Sequence, residues 1–113
     1  MKRNYKWLNL KDLIQYRFTM EYNNVVNNKE RSRFEVSLNG EYAFVQYKWH
    51  KGDLAIMHTE VPKEHEGKGI AATMVKHVLE YAKKEGLKIL VYCPYTAMYI
   101  KRHPEYNELV VKL

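Results

Sequence analysis

Two glycines and a lysine stand directly before a segment with helical periodicity, in the run HEGKGIAATM at residues 65–74. The first N–H groups of a helix lack internal partners and lie at the positive end of the helix dipole, so they bind phosphates readily. Gly67 and Gly69 would let a pyrophosphate approach the backbone without a clash with a Cβ atom, and Lys68 adds a positive charge. The spacing matches neither a P-loop nor the three-glycine dinucleotide fingerprint. On spacing alone, a plain turn before a helix is the simpler interpretation.

Cys93 is the second candidate for chemistry. It ends an apolar segment, and Pro94 directly after it opens a run with helical character. A thiol at a helix N-terminus feels partial positive charge, which favours the reactive thiolate. A lone cysteine is also often a small buried hydrophobe, which is the alternative interpretation.

His58 is the third candidate, because it lies in an apparent strand just before the glycine segment. Alternation with period two predicts that His58 shares a face with Ile56 and Glu60, while Thr59 faces the opposite side in a structural role. A neutral imidazole could take a proton from an attacking amine or thiol, and Glu60 is the second candidate base. A core-edge histidine bonded to a neighbouring strand is the alternative.

The elements that carry these residues begin as a meander of strands. Segments RFEVSL, EYAFVQYKW and LAIMHTEV have strand character,. Asn39-Gly40 and Lys51-Gly52-Asp53 separate them, and both predict tight turns between antiparallel strands.

The period changes to about 3.6 after Pro62, which predicts a helix over residues 68–85 ending before Gly86. The segment LKILVYC then predicts a buried strand, and a second helix runs from Pro94 to about His103,. A β-helix-β connection of this length makes the strands at 54–61 and 88–93 parallel neighbours. The predicted fold is therefore α/β (α+β): an antiparallel meander, then β-α-β in a mixed sheet, with a C-terminal helix.

Composition limits the remaining possibilities. The 113 residues suit one domain, which we place at 25–113 after an N-terminal arm at 1–24 with a possible short helix,. The net charge of +6 is spread rather than clustered, which argues against nucleic acid, and either a small polyanionic ligand or a solvated surface explains it,. A single cysteine excludes an internal disulfide and fits a reducing, cytoplasmic setting,. We predict no metal site, because no histidine pair has zinc-helix spacing, and no membrane span, because no apolar run is long enough.

Four segments in order, HTEVP, GKGIA, CPY and YIKRHPEY, resemble the GNAT N-acetyltransferase superfamily, and in particular its compact, stand-alone acetyl-CoA-binding branch. The likeness covers about residues 34–110. It implies that the loop at 66–71 holds the pyrophosphate of CoA through Glu66, Gly67, Lys68, Gly69, Ile70 and Ala71. Glu66 departs from the Arg or Gln usual there. The resemblance further implies that the main chain at Val61 pairs with the pantetheine arm and that Cys93 lies near the thioester.

The same resemblance implies an acetyl-CoA-dependent N-acetyltransferase acting on a small amine or on a protein lysine or N-terminus. The amine attacks either directly, with His58 or Glu60 as base, or after transfer of the acetyl group to Cys93. Tyr99 is a candidate acid for the departing thiolate, although a packing role is the simpler interpretation for any one of the ten tyrosines. Lys101 and Arg102 are candidates for the adenosine 3′-phosphate, although a solvated helix end explains them equally well. The alternative function is a CoA-binding sensor or interaction module with little transferase activity, and a monomer or a homodimer fits either function.

Overall fold

In a computed structural model of the chain, which describes residues 24–112, five strands form one mixed sheet in the order β1-β2-β3-β4-β5. The strands are β1 (Val26–Asn28), β2 (Arg33–Leu38), β3 (Glu41–His50), β4 (Asp53–Glu60) and β5 (Ile89–Val91). The same residues form helices α1 (Ile70–Lys84) and α2 (Pro94–Arg102) and 3-10 helices at Lys63–His65 and Pro104–Leu109. The predicted mixed α/β architecture is confirmed. The predicted arm at 1–24 lies outside the described residues except for its last residue.

Tight turns join the strands of the meander. Asn39 and Gly40 have φ angles of 53° and 91°, and Lys51 and Gly52 have φ angles of 51° and 86°. Positive φ at both central residues is what a type I′ hairpin turn requires. The two predicted turns therefore connect β2 to β3 and β3 to β4, and both pairs are antiparallel.

A β-bulge interrupts the pairing of β3 with β4. Gln46 pairs with His58, but the next residue of β3, Tyr47, pairs with Ile56. Met57 is therefore an extra residue in β4 without an opposite partner. Because side chains alternate along a strand, one extra residue moves each later side chain to the face of the sheet opposite the one that simple alternation predicts.

The bulge corrects the predicted facing of the candidate bases. Thr59 pairs with Val45, which is fully buried, so Thr59 lies on the core face together with Ile56. His58 and Glu60 lie on the opposite face, and both are exposed. The prediction that His58 and Glu60 share a face with Ile56 is thus wrong, and so is the prediction that Thr59 faces away.

β4 and β5 pair in parallel, as predicted, but only over a short distance. Residues 54–56 of β4 pair with residues 89–91 of β5. The amides of Tyr92 and Cys93 then both donate to the carbonyl of Ile56, at 2.9 and 3.0 Å, and the ladder ends there. Because both amides donate to the same carbonyl, the parallel pairing cannot continue, and β5 is therefore shorter than the strand predicted at 88–93. Beyond Ile56, β4 continues to Glu60 while the chain after β5 turns into α2, so a gap opens between them.

Both helices contribute to one core cluster with the strands. The apolar stripe of α1 predicted from the period is buried, and it packs with Ile100 of α2 and with Tyr106 and Leu109 of the second 3-10 helix. The Tyr106 hydroxyl donates to Glu80 of α1 at 2.7 Å, which ties this 3-10 helix to α1. The buried stripe of α1 consists of Ile70, Met74, Val75, Val78, Leu79 and Ala82.

Candidate active site

An open cavity of about 400 Å³ lies where β4 leaves its parallel partner. It runs from the core face of β4, past the loop that precedes α1, to the start of α2. The structure brings six of the sequence-predicted residues to its wall: Val61, Glu66, Gly67, Gly69, Ile70 and Ala71. Thr59, His65 and Tyr95 line it as well, although no binding role was predicted for them.

The glycine loop forms one end of this cavity. Gly67 and Gly69 have φ angles of 78° and 80°, a left-handed conformation that other residues adopt only with strain,. A Cβ atom built on either glycine would meet no described atom within 4 Å, so the space above the backbone is open. Gly69 is the N-cap of α1, and no side chain of residues 24–112 caps the helix. The first amides of α1 thus face the cavity without a capping partner, and this arrangement fits a pyrophosphate.

Charges of both signs surround the loop. Glu66 lines the cavity and is exposed, so a carboxylate stands where an anion would bind. The Nζ atom of Lys68 lies 3.5 Å from Nδ1 of His65, which brings its positive charge to the same rim. The backbone amides remain the main attraction for an anion, and Glu66 weakens it.

Cys93 lies behind the opposite part of the cavity wall. It is the N-cap of α2, it is only 2% exposed, and its Sγ atom lies 3.3 Å from Oγ1 of Thr59. Thr59 therefore separates the sulfur from the open space that it lines. This contact between residues 34 positions apart arises only because the bulge turns Thr59 toward the core.

The surroundings of Cys93 favour a thiolate. Burial raises the pKa of the thiol, but hydrogen bonding from Thr59 and from the start of α2 outweighs burial, so the pKa lies below its ordinary value. The contributions of α2 come from the hydroxyl and amide of Thr96 and from the amide of Tyr95. None of these α2 groups meets the geometry of a full capping hydrogen bond to the sulfur, so we regard their effect as electrostatic attraction at close range,.

The candidate bases are placed differently from Cys93. His58 contacts the Phe44 ring edge-on, with ring centroids 6.2 Å apart, on the face of the sheet opposite the core. Glu60 is exposed on that face and lines a second hollow of about 510 Å³ that shares Val61 and Glu66 with the first. The structure therefore does not bring His58 or Glu60 to the side of the sheet that holds the sulfur. Of the two, only Glu60 lines a hollow that adjoins the first cavity.

The remaining predicted residues lie on α2. Tyr99 stacks on His103 with ring centroids 4.2 Å apart. Burial, and to a smaller extent the carboxylate of Glu105, raises the pKa of Tyr99, which keeps the phenol protonated. Tyr99 is not part of the cavity wall. Lys101 and Arg102 are exposed in the last turn of the helix. Their predicted roles toward CoA stay predictions.

Two residues beside the sulfur escaped the sequence reasoning. Thr96 was not singled out, and Thr59 was given a structural role on the wrong face. The available signal for Thr59 was the run LAIM at residues 54–57, whose four consecutive apolar residues break strict alternation,. The available signal for Thr96 was its spacing, because it stands three residues after Cys93, and the third residue of a helix lies close to the N-cap residue,.

Two negative findings apply to residues 24–112. They contain no group of three or more His, Cys, Asp or Glu side chains placed to hold a metal ion. None of their helices is long and apolar enough to cross a membrane.

Known proteins match most of this chain. A family model described as GCN5-related N-acetyl-transferase matches residues 33–109. Protein NATD1 of Danio rerio is 32% identical over 92 residues, covering 77% of this chain and 84% of that protein. Protein NATD1 of Mus musculus is 35% identical over 83 residues, covering 71% and 76%. The NMR solution structure of a GCN5-like protein from Staphylococcus aureus has a TM-score of 0.58 and 25% identity, covering 73% of this chain and 83% of that one.

Proposed function

The chain belongs to the GCN5-related N-acetyltransferase family, and on that premise we propose that it transfers the acetyl group of acetyl-CoA to an amine. One observation carries the proposal. The gap between the diverging β4 and β5 ends at an uncapped helix N-terminus with two open glycines on one side and, on the other, at Thr59, which lies in contact with the buried sulfur of Cys93. An elongated ligand with a phosphate group at one end and a reactive thioester at the other suits such a site.

The phosphate end binds at residues 66–71. The amides at the start of α1 donate to the pyrophosphate, and Lys68 adds positive charge while Glu66 opposes it. The pantetheine arm lies along the part of β4 near Val61 that has no β5 partner, where free main-chain groups bond to it as an added strand does,. Lys101 and Arg102 are the candidates for the 3′-phosphate.

The acetyl group passes through Cys93. Its thiolate attacks the thioester carbonyl, forming a bond between sulfur and the acetyl carbon, and the carbon–sulfur bond to CoA breaks. The CoA thiolate leaves and takes a proton, for which Tyr99 is the candidate donor. The amine then attacks the acetyl carbon, the amide bond forms as the bond between that carbon and the Cys93 sulfur breaks, the amine loses a proton to His58 or Glu60, and the Cys93 thiolate is restored. Holding both reactants in one site would make each step effectively unimolecular.

The acceptor amine enters from the open face of the sheet. His58 and Glu60 are exposed there, beside the gap, and either one removes the proton that the amine must lose,. The chemistry suits a small amine, a protein lysine or a protein N-terminus. A reducing compartment such as the cytoplasm keeps the single thiol free for this role.

Intact-protein mass spectrometry after mixing with acetyl-CoA alone tests the covalent route. We expect the mass to rise by one acetyl group in the natural protein and to stay unchanged in Cys93→Ala. Turnover without such an adduct would instead indicate direct attack, with His58 or Glu60 as base.

A panel of small amines, polyamines and lysine peptides tests the transferase function itself. We expect an acetylated product with at least one of them. Tight CoA binding without any product would contradict the proposal and favour a CoA-binding sensor or interaction module.

A further inference from the structure

Two threonine hydroxyls lie beside the sulfur of Cys93, and they come from different elements. Thr59 belongs to β4, and its Oγ1 lies 3.3 Å from Sγ, a contact in which either atom can donate. Thr96 belongs to the first turn of α2, and its hydroxyl also favours the charged sulfur. The sulfur is thus approached from the strand on one side and from the helix on the other.

The burial of Thr96 needs an explanation. Its side chain is completely buried, and its Oγ1 has no hydrogen-bond partner among residues 24–112. A buried hydroxyl without a partner destabilises the folded state, and a valine of the same shape would avoid this cost. The hydroxyl is best explained if it donates to a group that becomes charged. The nearby sulfur of Cys93 is such a group, since a thiolate is a stronger acceptor than a thiol.

The bulge in β4 gives a similar indication for Thr59. Without the extra residue Met57, Thr59 would face away from the core and could not reach the sulfur,. The irregularity therefore brings a hydroxyl to Cys93 at the point where β4 begins to line the cavity.

We propose that Thr59 and Thr96 are positioning residues that together hold the sulfur of Cys93 as an oriented thiolate facing the thioester. This inference rests on the proposed role of Cys93 in acetyl transfer. Thr59 donates from the cavity side and Thr96 from the helix side. When the sulfur becomes acylated and loses its charge, the hydrogen bond from Thr59 and the attraction of the Thr96 hydroxyl both weaken, and both strengthen again as the amine displaces the acetyl group. The two hydroxyls thereby favour release of the product and return of the thiolate.

Few ionisable groups interfere with this arrangement. Tyr95 of α2 is the titratable side chain beside Cys93. Burial raises the pKa of Tyr95, Arg102 lowers it by a smaller amount, and the negative sulfur adds the smallest upward effect. On β4, His58 and Glu60 project from the other face. The helix N-terminus contributes partial positive charge from the amides of Tyr95 and Thr96,.

The ultraviolet absorbance of the thiolate, measured against pH as the difference from Cys93→Ala, tests the inference without acetyl-CoA or an acceptor. In Thr59→Val and in Thr96→Val, we expect the thiol to titrate at higher pH than in the natural protein. Thr59→Ser keeps the hydroxyl and should titrate like the natural protein. Circular dichroism checks that each variant is folded, and the Thr59 pair alone suffices if Thr96→Val does not fold.

Formation of the acetyl-enzyme provides a second readout. At neutral pH we expect the rate of acetyl-enzyme formation to fall about tenfold in Thr59→Val, which is the factor for the loss of one hydrogen bond to a charged group. The rate should recover as the pH is raised, because more of the thiol is then ionised. An unshifted titration in both valine variants would overturn the inference. So would equal shifts in Thr59→Val and Thr59→Ser, because packing rather than the hydroxyl would then be the cause. If the titration shifts as expected in the valine variants but no acetyl-enzyme forms, the role of the two threonines stands and the proposed route through acetyl-Cys93 is refuted instead.

Discussion

Substitution of Gly69 by alanine distinguishes two explanations for the glycine: that its backbone binds a phosphate, or that the turn before α1 needs a positive φ angle. Gly69 caps α1 with a φ angle of 80°, and an added Cβ would meet no described atom within 4 Å. The folded protein therefore accommodates the methyl group, and the substitution costs only the strain of a left-handed alanine, about 1 kcal/mol. For a domain of this size that strain corresponds to a fall in melting temperature of about 4 °C.

The effect on CoA is expected to be larger. Gly69 is part of the cavity wall. A phosphate bound to the first amides of α1 must approach the backbone there, so we expect the added methyl group to obstruct it. Losing one or two hydrogen bonds to a charged phosphate costs about 1.5–3 kcal/mol, which weakens binding roughly tenfold to a hundredfold. Isothermal titration calorimetry with CoA measures this loss directly.

Gly52→Ala is the matched control. Gly52 has a φ angle of 86° and equally open surroundings, but it lies in the turn at the opposite end of β4 from the glycine loop. Both variants should lose similar stability, and only Gly69→Ala should lose CoA affinity. Unchanged CoA binding in Gly69→Ala, or an equal loss in Gly52→Ala, would refute the assignment of the loop to pyrophosphate.

Two further predictions concern charge. Because the Glu66 carboxylate lines the cavity, Glu66→Gln should strengthen CoA binding by a few-fold at low salt, and this gain should disappear at high salt,; equal affinity at low salt would show that the phosphates bind elsewhere. Burial raises the pKa of Glu35, but hydrogen bonds from Asn28 and Arg33 outweigh it and leave the pKa below its ordinary value. The stabilisation is therefore present above the ordinary carboxyl pKa and is lost as the pH falls through the lowered one. Urea unfolding should show Glu35→Gln to be less stable than the natural protein at neutral pH, with a difference that shrinks below about pH 4; a difference independent of pH would contradict this reasoning.

Much of the fold could be predicted because its signals are local. Asn39-Gly40 specifies a turn through the positive φ of two adjacent residues. The period of the apolar residues places α1, with its start two residues later than predicted. The parallel pairing of β4 with β5 followed from the length of the connection between them. The family resemblance added the proposed role of the loop at 66–71, of which every residue except Lys68 lines the cavity.

The site beside Cys93 could not be predicted in the same way. Alternation along β4 failed at Met57, because a bulge depends on how two strands align rather than on either strand alone,. One extra residue moved His58 to the open face and brought Thr59 to the core. The error therefore fell on the residues nearest the proposed chemistry.

The sequence by itself determined the order of the strands and helices, the two hairpin turns and the glycines before α1, because each depends on residues close together in the chain. Only the tertiary structure decided that Thr59 meets the sulfur of Cys93. Contact between residues 34 positions apart requires the register of β4 against β3 and the divergence of β4 from β5. Those features are set by packing across the whole sheet, and no local pattern specifies them.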